Sequence, residues 1–238
     1  ISITTRSVII ASMYNQVDSV SPEYNHIAYP LMDLGMFIVS TLVNGLLAFR
    51  IMDLYKLDIT PPPFFFSIWG LIYTLMFVLL IYLTVRKHWT NETHTKMTLA
   101  SFLNMLWVII TALNFGGGVF FMFLIIVGLA LTLAIVWKLI EHDQYDRPAK
   151  YIFVINTVSL YLGWVVSAAV LNFSQMLVYG FNTSQGTATA FFWILIVLVD
   201  FTCIYLAARD DALVGFIGFI AASLWALLGV VISIMTKP

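Results

Sequence analysis

The fold class this sequence predicts is an all-α integral membrane protein, a bundle of about seven transmembrane helices. Three observations predict it. Of 238 residues, 61% are hydrophobic and 10% charged, with a mean hydropathy of +0.97. An ordinary soluble domain is about 25% charged. A soluble chain this apolar could not cover its own surface, whereas a bilayer accepts apolar side chains. The apolar residues also come in long unbroken stretches, not in the alternating runs of barrel strands. Finally, proline, glycine and charged clusters punctuate the stretches at membrane-like spacing.

A hydrocarbon core of about 30 Å takes about 20 residues per helix. On that measure residues 1–32 are polar enough to form an extramembrane N-terminal arm, over the surface or against a partner. The first span is Asp33–Ile51. Asp58-Ile59-Thr60-Pro61-Pro62-Pro63 then makes a stiff, extended approach to the second, Phe64–Val85, because proline cannot continue a preceding helix. The third is Met97–Phe115, joined by the tight turn Gly116-Gly117-Gly118 to the fourth, Val119–Ile140. A charged loop from Glu141 to Lys150, containing Pro148, leads to the fifth, Tyr151–Phe173. A longer polar loop, Ser174 to Gly186, precedes the sixth, Thr189–Ala208. Arg209-Asp210-Asp211 separates it from the seventh, Ala212–Met235.

Basic residues set the expected orientation. Arg6, Arg86, Lys87, Lys96, Lys138, Arg147, Lys150 and Arg209 fall on one side, and Arg50, Lys56 and Lys237 on the other. The N-terminus is therefore expected on the cytosolic or equivalent side. Of three N-x-S/T matches, only Asn182 combines the translocated side with a loop. A match so short reads first as an unmodified sequon. The net charge of −1 argues against nucleic acid as a partner. The single cysteine, Cys203, excludes a disulfide framework within the chain and a zinc spacing.

Polar groups inside a bilayer are costly and need a partner or a purpose. Asn44, Asn104, Asn114, Asn156, Asn172 and Asp200 stand in the spans. Asparagines commonly join helices. Asp200, near the middle of the sixth span, has no lysine or arginine deep in a span to pair with. It reads either as a neutral acid hydrogen-bonding between helices or as a proton- or ligand-handling group. The constellations of catalysis are missing. His26, His88, His94 and His142 all fall in loops or the arm, with no i, i+4 partner. No nucleophile elbow or phosphate loop occurs. Lys138, the only lysine near a span interior, lies at a span end, so a retinal Schiff base has no candidate lysine in the seventh span. With these constellations missing, the chain is not expected to be an enzyme.

What remains is aromatic. Trp69 and Tyr73 share one helix face, Asn104 and Trp107 another, and Tyr161, Trp164, Ala168 and Asn172 form a third stripe. Phe64, Phe65 and Phe66 stand at the proline loop. Such stripes are commonly packing or interfacial belts. Converging, they would instead frame a cavity for planar, mostly apolar ligands.

Those same residues carry a resemblance. Pro61-Pro62-Pro63-Phe64-Phe65-Phe66-Ser67-Ile68-Trp69-Gly70-Leu71-Ile72-Tyr73-Thr74-Leu75-Met76 resembles the proline-pair, aromatic, Trp-x-x-x-Tyr-x-x-Met signature of the tryptophan-rich sensory protein / translocator protein (TspO/MBR) family. Leu103-Asn104-Met105-Leu106-Trp107 is similar to its Leu-Asn-x-x-Trp. Tyr161 to Asn172 is similar to its Tyr-x-x-Trp-x-x-Phe-Ala-x-x-Leu-Asn, with Ser167 in place of phenylalanine. The resemblance covers residues 33–172 and implies a five-helix translocator-like core at 33–173. Residues 174–238 look like the two additional helices of the family's longer branch. It implies a pocket for a tetrapyrrole, sterol or lipid, lined or braced by Trp69, Tyr73, Asn104, Trp107, Tyr161, Trp164, Ala168 and Asn172, with Phe65 beside it. The family's loop tryptophan is replaced here near Pro63 and Phe64, which speaks against porphyrin photochemistry. Leu80-x-Tyr82-x-x-x-Arg86 matches a short sterol-contact pattern.

Three readings follow: a ligand-binding sensor or carrier; a structural subunit or assembly factor of a larger membrane complex, with the pocket vestigial or lipid-filled; and, on Asp200 alone, a proton-coupled transporter. The partners expected are membrane lipids, a small apolar ligand, and a second copy or a larger membrane complex. The transporter reading ranks last, because no internal repeat of the transporter kind is visible.

Overall fold

The computed structural model describes residues 28–51, 54–86, 90–143 and 148–237. Within them the chain forms seven helices long and apolar enough to cross a membrane. They are α1 (Ala28–Ile51), α2 (Ile68–Arg86), α3 (Asn91–Leu113), α4 (Gly118–Asp143), α5 (Pro148–Gln175), α6 (Gln185–Arg209) and α7 (Ile217–Met235). A 3-10 turn, Pro63–Ser67, leads into α2, and another, Leu213–Phe216, into α7. Most of the N-terminal arm, with Arg6 and His26, and also His88, lie outside the described residues.

The local chemistry explains the ends. Thr90 caps α3 by accepting the Thr93 N–H, and Ser184 caps α6 by accepting that of Thr187. Pro148 opens α5, where its missing N–H costs nothing. Asn114 ends α3 in the left-handed conformation, and Gly117 follows at φ 83°. This turn therefore needs a glycine at its last bend.

Four expectations change. The fifth helix does not stop at residue 173. It runs to Gln175 and continues through one π-helical segment, Met176–Gly180. The polar loop from Ser174 thus shrinks to residues 181–184. Ser174 and Gln175 are buried and hydrogen-bonded, so their polarity does not mark an exposed loop. The arm ends earlier than residue 32, because α1 begins at Ala28. The third helix starts six residues before Met97, so His94 is not a loop residue. It is buried in the first turns of α3, with Nδ1 3.1 Å from Asp33 Oδ2 of α1. His142 likewise belongs to the end of α4 rather than to a loop.

α1 lies along α3, α3 along α4, α4 along α5, and α5 along α7, while α2 fits between α1 and α5. The first five helices thus close a ring. α5 is the most enclosed span and α6 the least. α5 and α7 approach closely because both bring glycine to the contact. A Cβ on Gly163 would lie 2.5 Å from Phe219 O, and one on Gly218 2.2 Å from Asn156 O. Small residues let membrane helices pack backbone to backbone.

The asparagines divide by geometry. Asn104 Nδ2 donates to Tyr73 OH (3.2 Å) and Ser40 Oγ (3.4 Å), tying three helices. Asn156 accepts the Gly218 N–H (2.9 Å) and donates to Val214 O (2.8 Å), fastening α5 to the start of α7. Asn44 donates to Ser40 O of its own helix, so its expected role between helices is not observed. Nor does Asn114 join helices, since it is an exposed cap. Asp200 Oδ1 accepts the Ser223 hydroxyl at 3.2 Å, an α6–α7 link.

Two ends of the bundle are fastened differently. At one, Lys138 Nζ bridges Glu141 and Asp210, both at 2.9 Å. Hydrogen bonds from Lys138 and Arg209 hold the Asp210 carboxyl below the usual carboxylate range. At the other, the α1–α2 connection is held by the ends of α5 and α7 and the start of α6, and it roofs the site described next.

Candidate functional site

A cavity of about 290 Å³ lies inside the five-helix ring, beneath the α1–α2 connection. Each stripe of the sequence contributes a wall because residues three and four apart stand on one helix face. α2 supplies Trp69 and Tyr73, whose rings stack at 5.2 Å and 26°. α5 supplies Trp164, Ala168 and Asn172. Trp164 meets Trp69 edge-on at 6.1 Å and Phe66 at 6.0 Å. Geometries of this kind match the positive edge of one ring to the negative face of another. α3 supplies Trp107, whose indole N–H donates to Asn172 Oδ1 at 2.8 Å. That bond joins two stripes across the cavity wall and leaves both side chains buried.

Six of the nine sequence-predicted site residues therefore line the cavity: Trp69, Tyr73, Trp107, Trp164, Ala168 and Asn172. Asn104 and Tyr161 stand behind the wall. Asn104 holds the Tyr73 hydroxyl, and Tyr161 packs edge-on against Trp69 at 5.9 Å. Phe65 belongs elsewhere. It is buried against Trp225 of α7 (ring centroids 4.8 Å), and its carbonyl accepts the Trp225 indole N–H at 2.9 Å. The 3-10 turn rotates Phe66, not Phe65, toward the cavity. Asp200 lies on α6 and is not a lining residue.

The sequence reading missed Asn44, Thr60, Phe66, Thr111 and Gln175 in the wall. A signal existed for two of them. Thr111 is four residues beyond Trp107, and Gln175 three beyond Asn172, so each extends a recognised stripe. Ending the fifth span at Phe173 hid Gln175. Ser167, which departs from the family pattern, is buried and bonds Gly163 O of its own helix at 3.0 Å. It borders a second small void of about 30 Å³, toward Phe192 of α6 and Ala226 of α7.

Among the described residues no charged side chain lines the main cavity. Its polar groups are mostly committed: Thr111 Oγ1 to Trp107 O at 2.7 Å, and Gln175 Nε2 to Tyr55 O at 3.0 Å. Two buried atoms of lining residues, Trp164 Nε1 and Gln175 Oε1, have no protein hydrogen bond among the described residues. Among those residues, no group of three or more His, Cys, Asp or Glu could hold a metal ion. The Trp107–Asn172 bond makes a direct prediction. Asn172→Leu strands a buried indole N–H and should lower stability by about 1–3 kcal/mol. Thermal unfolding in detergent measures it, and an unchanged midpoint would refute the role assigned to the bond.

Comparison with known proteins completes the picture. The family model described as TSPO-like protein matches residues 25–237, which takes in all seven spans, α6 and α7 included. No curated protein and no solved structure matches the chain. With a helical bundle, an internal aromatic cavity and a match over nearly its whole length, this multi-pass membrane protein belongs to the TSPO-like family.

Proposed function

We propose that the chain binds an apolar, largely planar ligand (a tetrapyrrole, sterol or lipid) in the α1–α5 cavity and acts as a sensor or carrier for it. The observation that carries this reading is the cavity itself: about 290 Å³, walled by three tryptophans, Phe66 and Tyr73, with no charged side chain among its described lining residues. Small-molecule sites are typically about 300–1,000 Å³, mostly apolar, with a few placed polar groups. Buried polar atoms without partners are rare. Trp164 Nε1 and Gln175 Oε1 in this wall would be satisfied by a ligand acceptor and donor after a small side-chain adjustment. In this reading Trp69, Tyr73, Trp107 and Trp164 supply flat contact area, Asn172 and Asn104 fix those rings, and no bond of the ligand is made or broken.

Titration of the purified, detergent-solubilised protein with protoporphyrin tests it, followed by the porphyrin absorption band and by tryptophan quenching. Saturable binding is expected. Trp164→Leu should weaken it about tenfold, equivalent to about 1.4 kcal/mol, while Phe77→Leu on the exposed face of α2 leaves it unchanged. A second reading, a subunit of a larger membrane complex, draws support from α6. It is the least enclosed span, and it carries Asp200 with a single hydrogen bond among the described residues. No saturable binding of protoporphyrin, sterol or lipid by folded protein would put that reading first.

A further inference from the structure

We infer that the cavity is filled sideways from the bilayer, through a slot between α1 and α2 that Gly45 and Gly70 keep open, and that its ligand is a mostly apolar molecule dissolved in the membrane. This rests on the binding reading above.

The slot is visible in the residues that belong to both surfaces. Gly45 and Gly70 line the cavity, and both are exposed. Among the described residues a Cβ at either position would meet nothing within 4 Å. Of those residues, the two glycines offer only backbone to the wall there. Around them on the outer surface stand Leu42, Leu46 and Leu71, at 62%, 80% and 52% exposure. The slot therefore opens among apolar side chains, in the membrane half nearest the α1–α2 connection. Helix packing agrees: α1 rests mainly on α3, and its ring contact with α2, Phe37 to Tyr73, lies about two turns away from Gly45.

The way in from water is fastened. Across the mouth, the connection is held at Tyr55 O by Gln175 (3.0 Å), at Lys56 O by Tyr179 (2.6 Å) and at Asp58 N by Gln185 (2.9 Å). Asp58 also accepts Ser233 at its carbonyl (3.1 Å) and pairs with Lys237 at its carboxylate. Lifting this roof breaks several bonds together, while passing Gly45 and Gly70 breaks none of them. The ligand class follows from the route. Charge is costly in hydrocarbon, so an acidic group on the ligand has to be protonated before it passes, and no charged side chain among the described lining residues would receive it.

The test uses the whole protein in lipid nanodiscs, with dehydroergosterol supplied from cyclodextrin. Energy transfer from tryptophan to the sterol reports loading. Gly45→Phe/Gly70→Phe, placed where there is room, should keep the wild-type unfolding temperature yet load about ten times more slowly. Gly70→Leu alone should give a smaller slowing in the same direction. Tyr179→Phe/Lys237→Ala, which loosens the roof, should load at the wild-type rate. Loading that ignores the glycine substitutions, or that quickens when the roof is loosened, overturns the route while leaving binding intact. No saturable transfer in the wild type, for this sterol or for protoporphyrin, removes the binding reading and the route with it.

Discussion

Gly218→Leu is expected to leave no monodisperse folded protein, and Gly163→Leu to do nearly the same. The cause is geometric. A Cβ at Gly218 would fall 2.2 Å from Asn156 O, 2.7 Å from Ser159 Oγ and 2.8 Å from Leu160 N. Two of those atoms are backbone, so no side-chain rotation relieves the clash and α7 must move off α5. That movement also pulls apart the Gly218 N–H to Asn156 Oδ1 bond of 2.9 Å. Overpacking inside a core costs about 1–3 kcal/mol when side chains can shift, and more when they cannot. Gly218→Ala should therefore fold with a clearly lowered unfolding temperature. The matched control is Gly35→Ala on α1, where a Cβ meets nothing within 4 Å among the described residues. There alanine should be neutral or stabilising by up to about 1 kcal/mol, through helix propensity. Size-exclusion profiles and thermal unfolding by tryptophan fluorescence decide it. A Gly218→Leu protein that elutes and melts like the wild type would refute the close α5–α7 contact.

The second large effect is expected at the Asp33–His94 pair. Asp33 is fully buried and His94 nearly so, at 0% and 2% side-chain exposure. Asp33 Oδ2 has the imidazole as partner, while Oδ1 has no hydrogen bond among the described residues. His94→Ala removes the acid's described partner and leaves the carboxyl group buried between α1 and α3. Losing one member of a buried pair costs about 3–5 kcal/mol, whereas replacing both members by apolar residues of similar size is often neutral. His94→Ala should thus unfold far below the wild type, and Asp33→Leu/His94→Leu should recover most of the loss. Equal damage in the single and double variants would mean that the pair adds nothing beyond its packing.

Much of the site could be read from spacing. Tyr161, Trp164, Ala168 and Asn172 had to share a face if the fifth span was helical, and so did Trp69 with Tyr73. Spacing cannot say which stripes meet. Only the helix order α2–α1–α3–α4–α5 turns Trp107 toward Asn172 and places Asn104 behind Tyr73. The misplaced residues have local causes. Phe65 and Phe66 are adjacent in an aromatic run, and the 3-10 turn at Pro63–Ser67 decides which one faces the cavity. Polar character at residues 91–96 and 174–175 reads as loop, yet those residues are helical: Thr90 caps the first stretch, which buries His94 against α1, and Ser174 and Gln175 are buried. His94 and Asp33 hide each other's polarity, and Ser174 and Gln175 bond to carbonyls.

By itself the sequence determined that this chain lives in a membrane, that it carries seven helices long and apolar enough to cross it, and which faces are aromatic. Hydropathy, length and residue spacing are properties of single segments, and the bilayer fixes their meaning. Tertiary structure alone decided the rest: the asparagines that link helices, the Asp33–His94 pair, the enclosure of a 290 Å³ cavity and the gap at Gly45 and Gly70. Each of these depends on which helices become neighbours. In lipid that choice turns on close backbone contact and on a few polar bonds, not on hydrophobicity, which all seven helices share.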